Sequence, residues 1–167
     1  VVIDKSINKY EVILDCIDLE AEVILLDESS DQLKSLTDKL EGYENLDAMY
    51  LFTCGEDGII SFNGSNITSG SLNEKIKLLG RWHLSFNDNA DLMIYTCNLA
   101  KTNKGRGLIR RLSAYTGLDV AASVNSTGNT NTDCDWDLEF RKGIIEAENC
   151  LNKRSIQKYP GKFSRVK

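Results

Sequence analysis

The 167-residue chain has one histidine and one proline, and its five cysteines form no Cys-x-x-Cys pair. The missing pair excludes a zinc ribbon. Five irregularly spaced cysteines (Cys16, Cys54, Cys97, Cys134 and Cys150) are also too few for a disulfide framework. No apolar run approaches the ~20 residues of a membrane-spanning helix, so membrane insertion is not expected. There is no internal repeat and no low-complexity tract. The chain opens on Val1-Val2-Ile3-Asp4 with neither an initiator methionine nor a signal peptide, and so reads as a fragment of a longer protein.

What is present suits a single folded domain: the length is right for one, and 41% of residues are hydrophobic. The charge is uneven. From Lys153 onward there are six basic residues (Lys153, Arg154, Lys158, Lys162, Arg165, Lys167) and no acid. A net charge of −5 therefore leaves about −11 on the rest, which argues against a nucleic-acid surface. Pro160-Gly161 breaks regularity in this stretch and few apolar residues follow it. Residues 151–167 are thus expected to be a basic tail or linker, and residues 1–150 the domain.

Five short apolar runs alternate with helical patterns, the signature of a parallel sheet covered on both faces. The runs are Val1–Asp4, Glu22–Asp27, Asp47–Cys54, Ala90–Cys97 and Asp119–Ser123. Helical periodicity is expected after Ser6 (Ile7, Tyr10, Ile13, Leu14, Ile17). Two capping boxes, Ser29 with Gln32 and Ser71 with Glu74, announce the next two helices. The second of these carries Ile76, Leu79, Trp82 and the lone His83 on its apolar stripe. A fourth helix after Gly105 buries Leu108, Ile109, Leu112 and Tyr115 and stops at Gly117. Ile59–Ile67, around Asn63-Gly64, reads as a small hairpin. Trp136–Phe140 with Ile144–Ala147 reads as a second. The expected fold is a three-layer α/β sandwich, flavodoxin-like in outline, with a mostly parallel sheet of five to six strands and two small hairpins.

Ligands of open α/β sheets bind outside the carboxyl ends of the strands. The third run ends Thr53-Cys54-Gly55 and the fourth Thr96-Cys97-Asn98, so a cysteine stands at the rim of each. If the strands are neighbours, the thiols are close enough for contact or a disulfide. Inert packing of small apolar groups is the alternative. Cys54, Cys97 and Cys134 lack a fourth ligand for structural zinc, and no metal or cofactor is expected.

Several stretches in order resemble an uncharacterised caspase-like domain of the caspase–gingipain clan, found near the start of very large bacterial surface and adhesin-type proteins. They are Ile3-Asp4, Glu22–Asp27, Leu46-Asp47-Ala48, Tyr95–Ala100, Thr116–Ser123 and Asp135-Trp136-Asp137-Leu138-Glu139. The resemblance implies a caspase-like fold and an extracellular or cell-surface setting. It also implies further domains on the same chain, and a peptide or the chain's own polypeptide as partner. It places Cys97 at the nucleophile position and Gly55 at the glycine whose N–H helps hold the oxyanion. Ser123 and Trp136 fall in regions bordering the substrate pocket.

Two residues depart from the pattern. Cys54 stands where the clan has its catalytic histidine, and Thr96 replaces the glycine before the nucleophile. A histidine exchanges protons at neutral pH, whereas a second thiol, with pKa about 8.5, is a poor base there and cannot protonate a leaving amine. The expectation is therefore a non-catalytic or redox-altered caspase-like module. The alternatives are a cysteine peptidase, self-processing included, that uses Cys97 with an unconventional base, and a flavodoxin-like small-molecule binder.

Overall fold

The apolar runs pair into one six-stranded sheet in the computed structural model, which describes residues 1–18, 20–28, 31–63 and 65–165. In chain order the strands are β1 (Val2–Asp4), β2 (Ile24–Leu26), β3 (Leu46–Phe52), the short β4 (Gly55–Glu56), β5 (Ile59–Ile60) and β6 (Ile67–Thr68), then β7 (Phe86–Tyr95), β8 (Asp119–Ala122) and β9 (Phe140–Lys142). The sheet order is β2-β1-β3-β7-β8-β9, parallel except for β9. Strands β4-β5-β6 form a separate antiparallel sheet. The helices are α1 (Tyr10–Asp15), α2 (Gln32–Leu40), α3 (Ile76–Arg81) and α4 (Asn103–Thr116). Among the described residues, no helix is long and apolar enough to cross a membrane.

Strand residues point alternately to the two faces, and both faces are buried, which is why the runs are continuously apolar. Val2, Met49, Leu51, Leu92, Ile94 and Val120 pack under α2, α3 and α4 with Leu33, Leu36, Leu79, Leu108 and Leu112. Ile3, Tyr50, Phe52, Met93, Tyr95 and Ala121 face the other way. Among the described residues, that second face has the short α1 as its one α-helix. Its remaining cover is Ile156 from the 3-10 turn Ser155–Lys158, with Trp136, Leu138, Cys150, Leu151, Tyr159 and Phe163 from irregular chain.

This cover corrects two expectations. The segment after residue 150 is not a solvated linker: Leu151, Ile156, Tyr159 and Phe163 are all buried in the second core. Its cations stay outside while its spaced apolar side chains close the sheet. The second hairpin does not form either. Phe140–Lys142 joins the main sheet beside β8, while the N–H groups of Glu146 and Ala147 donate to Asp91 Oδ2 at 2.8 and 2.7 Å. A side chain supplies the acceptor that a partner strand would have offered.

The hairpin expected over 59–67 is present as β5 and β6, extended by β4, with its Gly64 outside the described residues. The capping box at Ser29 also lies outside them; the described N-cap of α2 is Asp31, which accepts from the Lys34 N–H at 3.0 Å. Ser71 forms no capping box. Its hydroxyl accepts from Thr68 N and donates to Asn66 O, holding the turn after β6. The first helix begins at Tyr10 rather than Ser6, because the Ser6 N–H is taken by Asp4 Oδ1 at 2.9 Å. Thr102 caps α4 before Gly105, which lies inside the helix; Gly117 ends it as expected.

Candidate functional site

Register brings the two strand-end cysteines side by side. Phe52 pairs with Tyr95 across β3 and β7, their rings stacked 4.5 Å apart and 6° from parallel. Thr53 N continues the ladder to Tyr95 O at 3.2 Å, so Cys54 and Cys97 follow at matching positions. Both thiols are free. Cys54 is half-buried, and its carbonyl accepts from Ser61 N at 2.9 Å, which ties the rim to the β4–β6 sheet. Cys97 is only 6% exposed. Its neighbour Asn98 takes a left-handed φ of 57° and donates its N–H to Asn125 O at 2.6 Å, turning the chain sharply at the rim.

The electrostatics do not activate either thiol. Burial first, then the nearby Asp4 carboxylate and Cys97, push Cys54 up to about 11, against the opposing charge and hydrogen bond of Arg165. Burial also raises Cys97 above its usual range. Nucleophilic cysteines have depressed values, and at pH 7 a thiol near 11 is a thiolate in about one molecule in ten thousand. Asp4 is fully buried; one oxygen accepts from Ser6 N and Gln32 Nε2, and the other has no partner.

The remaining expected site residues fall as follows. Gly55 sits where a Cβ would lie 2.3 Å from Ile59 O and 2.9 Å from Thr96 Oγ1, so the close approach of β5 requires a glycine there. Thr96 is buried with its hydroxyl unpartnered. Ser123 is buried, its hydroxyl engaged with Asn125, and it braces the loop beside Cys97. Trp136 is 7% exposed and packs edge-on against Tyr159 and Phe163, with ring centroids 5.4 and 5.3 Å away. His83, expected on an apolar stripe, is exposed, with Nδ1 against Gly80 O. It adjoins the start of β7, whereas Cys97 follows its end; ten residues at about 3.3 Å each put them roughly 30 Å apart. Cys134 is buried near Cys97. Among the described residues, no group of three His, Cys, Asp or Glu side chains could hold a metal ion.

Two rim residues were not anticipated from sequence. The Cys97 thiol donates to Thr127 O at 3.7 Å and to Phe163 O at 3.8 Å. Phe163 therefore lies directly over the thiol. The spacing of Leu151, Ile156, Tyr159 and Phe163 is the signal that could have found it, but the surrounding lysines and arginines hide that signal.

The model of the family described as Domain of unknown function (DUF4347) matches residues 1–163. No curated protein and no solved structure matches the chain.

Proposed function

The chain belongs to the DUF4347 family, and from that premise and the rim geometry we propose that it is a caspase-like module without peptidase activity, part of a larger, surface-associated bacterial protein. The observation that carries this reading is Cys54. It stands beside Cys97 where the resemblance would put the base, its thiol is held near 11 by burial, and the lone His83 is at the opposite end of the sheet. Acyl transfer needs a group that takes the nucleophile's proton and returns it to the leaving amine. Neither a buried thiol nor a histidine roughly 30 Å away does so.

One observation favours a second reading, a self-processing peptidase. The Thr127 and Phe163 carbonyl oxygens lie 3.7 and 3.8 Å from Cys97 Sγ, so Phe163–Ser164 is one of two peptide bonds presented to the thiol. Intact-mass analysis after incubation at neutral pH with reductant, on the chain and on Cys97→Ala, separates the two. The proposal expects both to stay whole and to leave a peptide library uncut. Cleavage that disappears in Cys97→Ala overturns it, and a cut after Phe163 establishes the second reading. A Cys54→His variant that gains Cys97-dependent cleavage would mark Cys54 as the single residue disarming the site.

A further inference from the structure

Residues 161–165 cross the strand ends as an extended strap held by main-chain bonds on both sides. On one side Phe163 N donates to Thr127 O at 2.9 Å and Asn129 N to Gly161 O at 2.8 Å, around an antiparallel bridge between Gly128 and Lys162. On the other, Asn8 N donates to Ser164 O at 2.8 Å, and Ile7 bridges Arg165. Contacts of this kind read backbone, not sequence, as when a peptide adds itself to a strand edge. Gly128 is shaped to receive the strap: at φ 148° a Cβ there would lie 2.3 Å from Gly161 O.

One side chain gives the strap its selectivity. Lys162 and Ser164 are exposed, whereas Phe163 is buried among Phe52, Trp136 and Tyr159, with ring centroids 6.5, 5.3 and 5.4 Å away. Arg165 ends against Cys54. The chain just before the strap is anchored separately. Tyr159 OH donates to Asn8 O at 2.7 Å, and Asn129 Nδ2 donates to Gln157 O and Tyr159 O. Exposed Pro160 joins the anchor to the strap's first residue, the half-buried Gly161, which has φ 77° and nothing within 4 Å of a built Cβ. Rotation there would withdraw Phe163 from the second core while Tyr159 stays held by its own hydrogen bonds.

We propose that the rim carries an extended-peptide groove between residues 7–8 and 127–129, which residues 161–165 fill in cis. Its partner in trans is a segment of like chemistry, an aromatic side chain flanked by basic residues. This rests on reading the rim as a caspase-like cleft. With the strap lifted, the Phe163 pocket and the Cys97 thiol both open to that partner.

The test uses the full chain, Phe163→Ala, and a labelled synthetic peptide with the sequence of residues 161–165. In Phe163→Ala the peptide should bind at least tenfold more tightly than to the unaltered chain, by fluorescence anisotropy. Cys97 alkylation, mapped by mass spectrometry, should quicken at least tenfold and slow again when the peptide is added. A peptide with alanine in place of the phenylalanine should bind at least tenfold more weakly. A folded variant that fails to bind, or whose Cys97 reacts at the original rate, overturns the proposal. Should the variant not fold, hydrogen exchange on the unaltered chain decides. The Phe163 and Asn8 amides should open together at least a hundredfold faster than those of β3 and β7; exchange only with the whole sheet overturns the groove. Binding with cleavage sinks the non-catalytic reading alone, and absence of binding sinks the groove alone.

Discussion

Phe52 and Tyr95 stack 4.5 Å apart at the ends of adjacent parallel strands, two and two residues before the cysteines they position. The stack is the floor of the rim: Phe163 rests on Phe52 from above, 6.5 Å between centroids. Phe52→Ala removes a fully buried ring from beneath both. It should cost about 3–5 kcal/mol in urea unfolding, and Cys97 should become reactive before global unfolding begins. A loss below 1 kcal/mol would show that the second core closes over the gap.

Asp91 performs the task of a missing strand. Its Oδ2 accepts both the Glu146 and Ala147 N–H groups while Oδ1 is buried without a partner. Asp91→Ala leaves two donors without their protein acceptor. Glu146 is exposed and Ala147 half-buried, so water replaces part of what is lost and the cost per bond should be about 0.5–1.5 kcal/mol. Asp91→Asn keeps an acceptor and should cost less than Asp91→Ala. Amide exchange at 146 and 147 should quicken only in the alanine variant. Equal losses in the two variants would mean that the side chain holds the segment by packing alone.

The parts of the fold that could be read from the chain are those where one interaction dominates locally. Met49–Phe52 and Leu92–Tyr95 are continuously apolar because both faces of β3 and β7 are covered, and no helix period fits them. Cys54 and Cys97 were legible as rim residues for the same reason. Trp136, Leu138 and Phe140 alternate as a strand would, yet only Phe140 joins one. The other two side chains answer to the uncovered second face, which local periodicity does not reveal. The strap was hidden by composition: Lys158, Lys162 and Arg165 signal solvent, while the buried Tyr159 and Phe163 decide where the segment goes. His83 was misplaced because the turn after α3 is 3-10, which rotates it away from Trp82 and out to solvent.

Gly55 is replaceable only at the expense of β5. A Cβ there meets a main-chain oxygen at 2.3 Å, and a main chain cannot rotate aside as a flexible side chain can. Gly55→Ala should therefore destabilise by about 1–3 kcal/mol, the usual range for overpacking. It should also spread the β4–β6 sheet, read as faster exchange at Ser61 N, which now donates to Cys54 O. An alanine variant as stable as the original would show that this contact yields easily.

Alkaline pH tests the environment of Cys54 directly. Its thiol is held near 11 in the folded chain, against about 8.5 for an unperturbed cysteine. Between those values the unfolded chain has lost a proton that the folded chain retains. Stability must then fall as pH rises. The contribution is complete below about pH 8 and disappears progressively between about pH 9 and 11. Cys150, pushed up to about 12 by burial, acts in the same direction. Denaturant unfolding under reductant should show a steeper alkaline loss for the original chain than for Cys54→Ala, with matching slopes below pH 8. The same thiol should alkylate slowly at pH 7 and accelerate with each unit up to about 11. A Cys54 that reaches full reactivity by pH 9 would place Arg165 firmly enough on the thiol to overcome burial, and would return the site to the reactive class.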